Sequence, residues 1–305
     1  MGRPLRFIPP GSVVEITTRT IQSRLLLRPS PELNRIVLGV LGRTLSRYAV
    51  QVHAFVVMSN HIHLLASPTN AQQLAAFMQY FNGNLSKEVG RLHDWEGPLW
   101  ERRYRAIVIA DEQSQIERLR YIFEQGCKEG LVASPRHWPG ATSVHSLLDG
   151  RPLFGTWLDR SALYAARRTG KKLDASKLTY RYTIGLAPLP CWAGLSAKEY
   201  RRRCAQLVRD IEHETKARNA QLGRRPMGAK FIYAQNPHDI PSSPSKSPAP
   251  LVHAATRKAR QEFLAAYRQF VNEYRRAAER LRSGYRNVTF PLHSFPPAQP
   301  FVAGT

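Results

Sequence analysis

The order of strand and helix patterns in the first half of the chain restricts the possible folds most. Alternating or β-branched runs at 13–19, 52–58, 61–66 and 104–110 predict four strands. Apolar residues at helical spacing follow the first, third and fourth runs, which gives the order β-α-β-β-α-β-α. This order is typical of the split βαβ, ferredoxin-like arrangement. We therefore predict an α+β fold with an antiparallel sheet that helices cover on one face.

The charge of the chain is strongly positive and unevenly distributed. Its 45 Lys+Arg and 22 Asp+Glu give a formal net charge of +23. Residues 1–150 contain 17 basic and 12 acidic residues, whereas residues 151–305 contain 28 and 10. Such charge attracts polyanions, and nucleic acid is the commonest partner of this kind. The alternative is a basic protein whose charge reflects only its proteome.

Composition argues against export and against membrane spanning. The sequence has no run of about 18 uncharged apolar residues, and residues 1–10 lack the apolar core of a signal peptide. The three cysteines, Cys127, Cys191 and Cys204, are far apart and form no CxxC pair. Neither a disulfide framework nor a thiolate zinc site is indicated. We expect a cytoplasmic protein without a membrane partner.

Composition also suggests four segments along the chain. Residues 1–150 contain the β-α-β-β-α-β-α pattern, and residues 151–235 form a basic, helical accessory region. Residues 236–250 contain five prolines and four serines, which is typical of a linker. Residues 251–305 combine a basic amphipathic helix with an irregular tail, so the region after the first domain is predicted to be mostly α-helical.

The sharpest local signal is the pair His61 and His63. Alternate residues of a strand point to the same side, so two imidazoles at i and i+2 can bind one metal ion. Two ligands alone are weak evidence, because such pairs also arise by accident. The pair therefore needs a partner elsewhere in the fold.

The helix predicted after residue 111 offers such partners. At 100° per residue its apolar side chains cluster on one side, whereas Arg118, Tyr121 and Gln125 lie on the other. Gln125 offers an amide oxygen, a suitable third ligand for a hard divalent ion. Tyr121 is either an ordinary surface tyrosine or a nucleophile. With the two histidines, it would form a phosphoryl-transfer site in which the phenol attacks phosphorus and a metal withdraws charge.

Several motifs in residues 8–150 resemble one enzyme family. These are VVMSNHIHLL at 56–65, WERRY at 100–104, LRYIFEQ at 119–125 and EGLV at 129–132. Their order and spacing resemble those of the single-tyrosine transposases of the HUH superfamily, which include the insertion-sequence-200-like and the REP-associated enzymes. Each motif is weak alone, but their agreement with the predicted elements makes the resemblance specific.

The resemblance implies a role for each residue of the site. His61, His63 and Gln125 would bind Mg²⁺ or Mn²⁺, and Tyr121 would be the nucleophile. The implied activity is cleavage and rejoining of single-stranded DNA beside a hairpin, through a 5′-phosphotyrosine and a free 3′-OH, in a nucleoid-associated protein. REP-associated relatives commonly have Asn-Pro where this chain has Gln125-Gly126. A trans-acting homodimer and a monomer therefore both stay open.

Basic and aromatic residues near the fourth strand are the first candidates for DNA contact. They combine a stacking surface with phosphate ligands, and the candidate set is Trp100, Arg102, Arg103, Arg105 and Arg118. A solvated run of charge is an equally good explanation of the arginines before that strand. Two other tyrosines, Tyr80 and Tyr104, could stack on a base or simply pack.

Two other functions compete with strand transfer. The first is a domesticated protein that binds structured DNA or RNA through its basic half without catalysis. The second is a hydrolytic, metal-dependent nuclease in which Tyr121 is structural and Glu117 or Glu124 is recruited as base. A covalent protein–DNA adduct would distinguish strand transfer from both.

Overall fold

The computed structural model describes residues 4–169, 174–241 and 249–298. Its centre is a sheet with four antiparallel strands, β1 (Val13–Arg19), β2 (Gln51–Val57), β3 (His61–Ser67) and β4 (Arg105–Ile109), in the order β2-β3-β1-β4. A two-residue strand, Val252–His253, extends the sheet beyond β4 and runs parallel to it. The predicted α+β class and antiparallel sheet are confirmed.

Two long helices cover one face of the sheet. Helix α1 (Pro31–Arg47) begins after Ser30, whose side chain accepts a hydrogen bond from the Leu33 amide, and α2 (Ala71–His93) begins after Asn70 in the same way. Such caps satisfy amides that the first helical turn leaves unpaired. Apolar side chains of both helices pack against the even-numbered positions of β1 and β3.

The opposite face of the sheet is also covered, which differs from the single covered face that the sequence predicts. Helix α3 (Glu112–Lys128) packs there together with α4 (Val144–Asp149) and, from the C-terminal half, with α6 (Ala197–Gln221). The apolar strand residues on this face require cover, and they are Val13, Ala54, Val56, Leu65 and Ile109. The second covered face was not predicted because periodicity shows that a helix has an apolar side but not on which face of the sheet that side packs, and because α6 begins 69 residues beyond the end of α3.

The C-terminal half contains a two-stranded antiparallel sheet as well as helices. Strands β5 (Leu153–Leu158) and β6 (Thr179–Ile184) pair antiparallel and pack on α1. The remaining helices are α5 (Arg160–Arg168), α7 (Gly228–Ala234) and α8 (Arg257–Arg282), and the strand Val252–His253 is β7. Short 3₁₀ turns occur at Ile21–Ser23, Pro135–His137, Ala175–Leu178 and Pro190–Trp192.

The remaining predictions on organisation concern segments and membranes. Within the predicted linker 236–250, residues 242–248 lie outside the described residues, as do residues 299–305 of the predicted tail. The boundaries at residues 150, 235 and 250 stay predictions. None of the helices in the described ranges is both long and apolar enough to span a bilayer.

Candidate active site

The pairing of the strands places His61 and His63 on the face of the sheet that α3 covers. Thr17 of β1 pairs with His63 of β3, and Arg19 pairs with His61. Paired residues of antiparallel strands share a face, so these side chains lie on the same side as Glu15, two positions before Thr17. This side is the one that α3 covers. The sequence prediction that His61 and His63 share a face therefore agrees with the geometry.

The contacts of His61 leave one ring nitrogen, Nε2, available to bind a ligand. Its Nδ1 lies 2.6 Å from Oδ1 of Asn60, so Nδ1 is the protonated nitrogen and donates to that oxygen. Its Nε2 then has a lone pair and lies 3.5 Å from Oε1 of Gln125. Burial lowers the pKa of His61 well below its usual value, and the nearby charges of His63 and Arg19 lower it further. The ring is thus neutral, the form that binds metals.

His63 is oriented by a carboxylate. Its Nδ1 lies 3.0 Å from Oε1 of Glu15 and 3.4 Å from Oγ1 of Thr17. The ring is buried, and its centroid is 5.0 Å from that of His61, edge to face. Because Nδ1 is engaged by Glu15, Nε2 is the nitrogen available to a ligand.

Helix α3 brings Tyr121 and Gln125 to the histidines. Asp111 caps the helix by accepting from the Ser114 amide at 2.8 Å. Gln125 lies one turn after Tyr121 and donates from Nε2 to the Tyr121 carbonyl at 3.0 Å. This bond directs Oε1 of Gln125 towards His61. The Tyr121 ring lies edge-on to His63, with centroids 5.4 Å apart. The four residues selected from the sequence therefore meet at one place.

Two cationic side chains border the Tyr121 ring. The guanidinium carbon of Arg118 is 4.6 Å and the Lys128 Nζ is 4.8 Å from its centroid. Both distances are in the cation–π range. Positive charge therefore lies against the Tyr121 ring.

Glu15 is a site residue that the sequence analysis missed. It is 4% exposed, and besides His63 it contacts His253 Nε2 at 2.9 Å and an Arg118 nitrogen at 3.7 Å. Burial alone would raise the pKa of Glu15, but the contacts with His253 and His63 hold it well below its usual range. The sequence did contain one signal, an acidic residue at a position of β1 whose side chain points towards the core. Such a residue indicates a site because a buried carboxylate needs charged or hydrogen-bonding partners.

The residues present fit a divalent cation. His61 Nε2 and Gln125 Oε1 are both acceptors, and two acceptors 3.5 Å apart need a cation or a donor between them. In the described ranges no group of three or more His, Cys, Asp or Glu side chains is placed to hold a metal. The candidate set is therefore two imidazoles and an amide oxygen. A set this small leaves coordination positions for substrate oxygens and water.

The predicted DNA contacts fall in three different environments. Arg118 belongs to the site itself, while Arg105 pairs with Thr17 on the site's face of the sheet. Arg102 and Arg103 are exposed and, with Arg105, line a groove of about 350 Å³ at the β4 edge. Trp100 is half-buried and donates from Nε1 to the Asn82 carbonyl at 3.0 Å, so its ring serves packing at least in part.

The two other tyrosines considered for base stacking or packing make contacts with arginines outside the histidine site. Tyr104 is buried and hydrogen-bonded to Arg6, and burial raises its pKa. The Tyr80 hydroxyl accepts from Arg43 at 3.1 Å on the opposite face of the sheet.

The two carboxylates considered as hydrolytic bases make their contacts along α3. Glu117 accepts from Gln113 at 3.1 Å, and Glu124 lies 3.9 Å from Arg120.

Comparison with known proteins gives a consistent picture. Residues 23–125, about a third of the chain, match the family model described as "Transposase IS200 like". A curated protein of Haemophilus influenzae (strain ATCC 51907 / DSM 11121 / KW20 / Rd), named "Putative REP-associated tyrosine transposase", is 28% identical over 107 residues. These residues are 32% of this chain and 61% of that protein, so the chain spans less than two thirds of its relative.

A solved structure described as a REP-associated tyrosine transposase bound to a REP hairpin also matches. The match covers 49% of this chain and 86% of that one, with 16% sequence identity and a TM-score of 0.41. The family segment 23–125 contains His61, His63, Tyr121 and Gln125. Glu15 and His253 lie outside it.

Proposed function

We propose that this chain is a metal-dependent, single-tyrosine strand transferase that cleaves and rejoins single-stranded DNA beside a hairpin. The main support is the position of two residues one turn apart on α3: Tyr121 lies against His63, and Gln125 lies against His61. The IS200-like family match across all four residues supports this reaction class. The net charge of +23 supports a polyanionic substrate.

The metal would be held by Nε2 of His61, Nε2 of His63 and Oε1 of Gln125. When bound, Mg²⁺ or Mn²⁺ would withdraw charge from the scissile phosphate. The protein fixes these three atoms in advance, because Asn60 and Glu15 select the ring tautomers and the Tyr121 carbonyl orients the amide. Such preorganisation lowers the cost of assembling the site at the moment of reaction.

In the chemical step the Tyr121 hydroxyl oxygen attacks phosphorus. A phosphorus–oxygen bond to Tyr121 forms as the bond to the 3′ oxygen breaks, and the proton lost by the phenol is balanced by one gained at the 3′-OH. Arg118 and Lys128 supply positive charge beside the phosphate that Tyr121 then carries. Attack by a 3′-OH on this phosphotyrosine reverses the step and rejoins strands without ATP.

The four proposed site residues lie together in one chain, with Tyr121 beside His63 and Gln125 beside His61. Helix α3 packs on the sheet of the same chain, and its Gly126 lies so close to Val132 and Trp138, in the segment that follows α3, that a Cβ would come within 3.0 Å of each. This supports attack by Tyr121 on DNA held by the histidines of the same chain. The homodimer that the family resemblance leaves open would then not be needed to assemble the site.

An adduct assay tests the proposal. Wild type, Tyr121→Phe and the control Tyr80→Phe are incubated with Mn²⁺ and labelled single-stranded oligonucleotides, each with one hairpin and randomised flanks. We expect a metal-dependent covalent adduct on a denaturing gel for wild type and Tyr80→Phe, and none for Tyr121→Phe.

Two results would replace the proposal with one of its rivals. Cleavage that leaves a protein-free 5′ end and persists in Tyr121→Phe would identify a hydrolytic nuclease. Hairpin binding without cleavage on any flank would identify a binding protein that lacks catalysis.

A further inference from the structure

His253 reaches the site from the far end of the chain. Strand β7 pairs with β4 so that Val252 is opposite Val108 and His253 is opposite Ile109, and the Ala110 amide donates to the His253 carbonyl at 2.8 Å. Because side chains alternate along a strand, His253 shares the face of Ile109, which is the face of the site. Val252 points to the other side and is buried.

His253 and His63 contact different oxygens of one carboxylate. His63 Nδ1 is 3.0 Å from Oε1 of Glu15, and His253 Nε2 is 2.9 Å from Oε2. The His253 nitrogen is buried, and its alignment on the oxygen falls short of a hydrogen bond, so a small ring rotation would complete one. An Arg118 nitrogen also lies near Oε2 but is more distant, at 3.7 Å.

Asp111 ties this strand to the helix that contains Tyr121. One carboxylate oxygen caps α3 through Ser114, while the other accepts from the amides of Ala255 at 2.8 Å and Thr256 at 3.1 Å. The residues directly after β7 are therefore fixed to the first turn of α3. His253 is thus part of the same rigid arrangement as Tyr121.

We infer that His253 is a positioning residue for His63, acting through Glu15, and that the C-terminal segment thereby completes the metal site. The inference rests on the proposed metal-binding role of His63. A carboxylate held at only one oxygen can rotate about its last torsion, whereas one held at both oxygens cannot. Glu15 keeps its hydrogen bond to His63 Nδ1, and so keeps Nε2 directed at the ion, only while Oε2 is also held. Outer contacts of this kind set ligand orientation and basicity.

The test compares full-length wild type, His253→Ala, His253→Gln and the control Val252→Ala. Val252→Ala perturbs the same short strand on its other side without touching Glu15. Mn²⁺ affinity is measured by titration without DNA, and folding by thermal unfolding. We expect His253→Ala to weaken Mn²⁺ binding about 10- to 100-fold. His253→Gln, whose amide N–H can reach Glu15, restores part of it, and Val252→Ala binds as wild type.

A second readout does not depend on the metal. In ¹⁵N spectra of the metal-free protein, His63 of the wild type is protonated at Nδ1. His253→Ala shifts His63 towards a mixture of the two tautomers, and Val252→Ala does not. This measurement stays decisive even when wild type forms no DNA adduct or binds no Mn²⁺, results that would count against the proposed function.

Three results would overturn the inference. One is an unchanged His63 spectrum in His253→Ala. Another is a Mn²⁺ affinity of folded His253→Ala equal to that of wild type. The third is an equal loss of affinity in His253→Ala and Val252→Ala, which would show that β7 only stabilises the fold.

Discussion

Arg105 and His63 lie in one row of the sheet, each paired with Thr17 from opposite sides. Adjacent strands are about 4.8 Å apart, and β1 lies between β3 and β4, so the backbones at His63 and Arg105 are separated by about 10 Å. A DNA strand whose scissile phosphate lies at the histidines and whose backbone crosses β1 would therefore reach Arg105. Arg102 and Arg103 continue the basic surface along the groove at the β4 edge.

Removing these three charges should change the salt dependence of DNA binding. Replacing Arg102, Arg103 and Arg105 by Ala is expected to reduce the slope of log K against log salt by up to about 2, because each lost phosphate contact on single-stranded DNA removes about 0.7. The slope is measured by fluorescence anisotropy on one labelled hairpin oligonucleotide over a range of salt concentrations.

Arg35→Ala is the matched control for this measurement. Arg35 is an exposed arginine of α1, on the opposite face of the sheet, and pairs with Glu32 at 3.4 Å. Its removal should leave the slope unchanged. Equal slopes for the triple variant and wild type would place the DNA elsewhere on the protein.

Glu15→Gln should weaken metal binding while keeping the size of the side chain. An amide can still accept from His63 Nδ1 through its oxygen, but its NH₂ group then faces His253 and Arg118, both of which are donors when protonated. We expect Mn²⁺ affinity to fall about 10- to 100-fold. Glu117→Gln, on the same side of the sheet but bonded to Gln113, is the control and should bind as wild type. Equal affinities for the two variants would show that Glu15 does not orient the ligand.

The core of the candidate site could be predicted because its signals are local. His61 and His63 are two residues apart on a strand, and Tyr121 and Gln125 are four apart on a helix, so periodicity alone places each pair on one side of its element. The site joins two such pairs across the contact between α3 and the sheet. Family resemblance then supplied the expectation that these two pairs belong together.

Glu15 and His253 could not be found in this way. Glu15 is a lone acidic residue in a β-branched run, and its partner His253 is 238 residues later in a strand of only two residues. No periodic signal exists in two residues. The β5–β6 sheet was missed for a related reason, since its stability depends on close packing against α1, and local propensity does not report that contact.

Two helical glycines, Gly39 of α1 and Gly83 of α2, should respond in opposite ways to replacement by Ala. A Cβ on Gly39 would lie 2.0 Å from the Thr156 carbonyl oxygen, so Gly39→Ala must separate α1 from β5. We expect the free energy of unfolding to fall by about 1–3 kcal/mol or more. Gly83→Ala, at an exposed position of α2 with nothing within 4 Å, should instead raise it by about 0.5–1 kcal/mol. Urea unfolding measures both. A Gly39→Ala variant as stable as wild type would contradict the close contact between α1 and β5, and a loss of stability in Gly83→Ala would contradict the open surroundings of that glycine.

A buried histidine away from the site predicts how stability depends on pH. The His53 ring is fully buried, with Nδ1 3.1 Å from the Ala187 carbonyl oxygen and Nε2 2.9 Å from Ser67 Oγ. Burial lowers the pKa of His53 below its ordinary value of 6.5, although the backbone contact opposes the shift. The unfolded chain therefore binds a proton at a higher pH than the folded chain does. Stability is full above about pH 6.5 and decreases as the pH falls below that value.

His53→Gln separates this contribution from the others. His61 and His93 also have lowered pKa values, so the wild type loses stability from several histidines in the same pH range. Gln keeps a donor and an acceptor at position 53 but cannot be protonated. Urea unfolding of both proteins between pH 5 and pH 7.5 should therefore give a smaller pH dependence for the variant. Parallel curves would show that the folded protein accepts a proton on His53 as readily as the unfolded chain does.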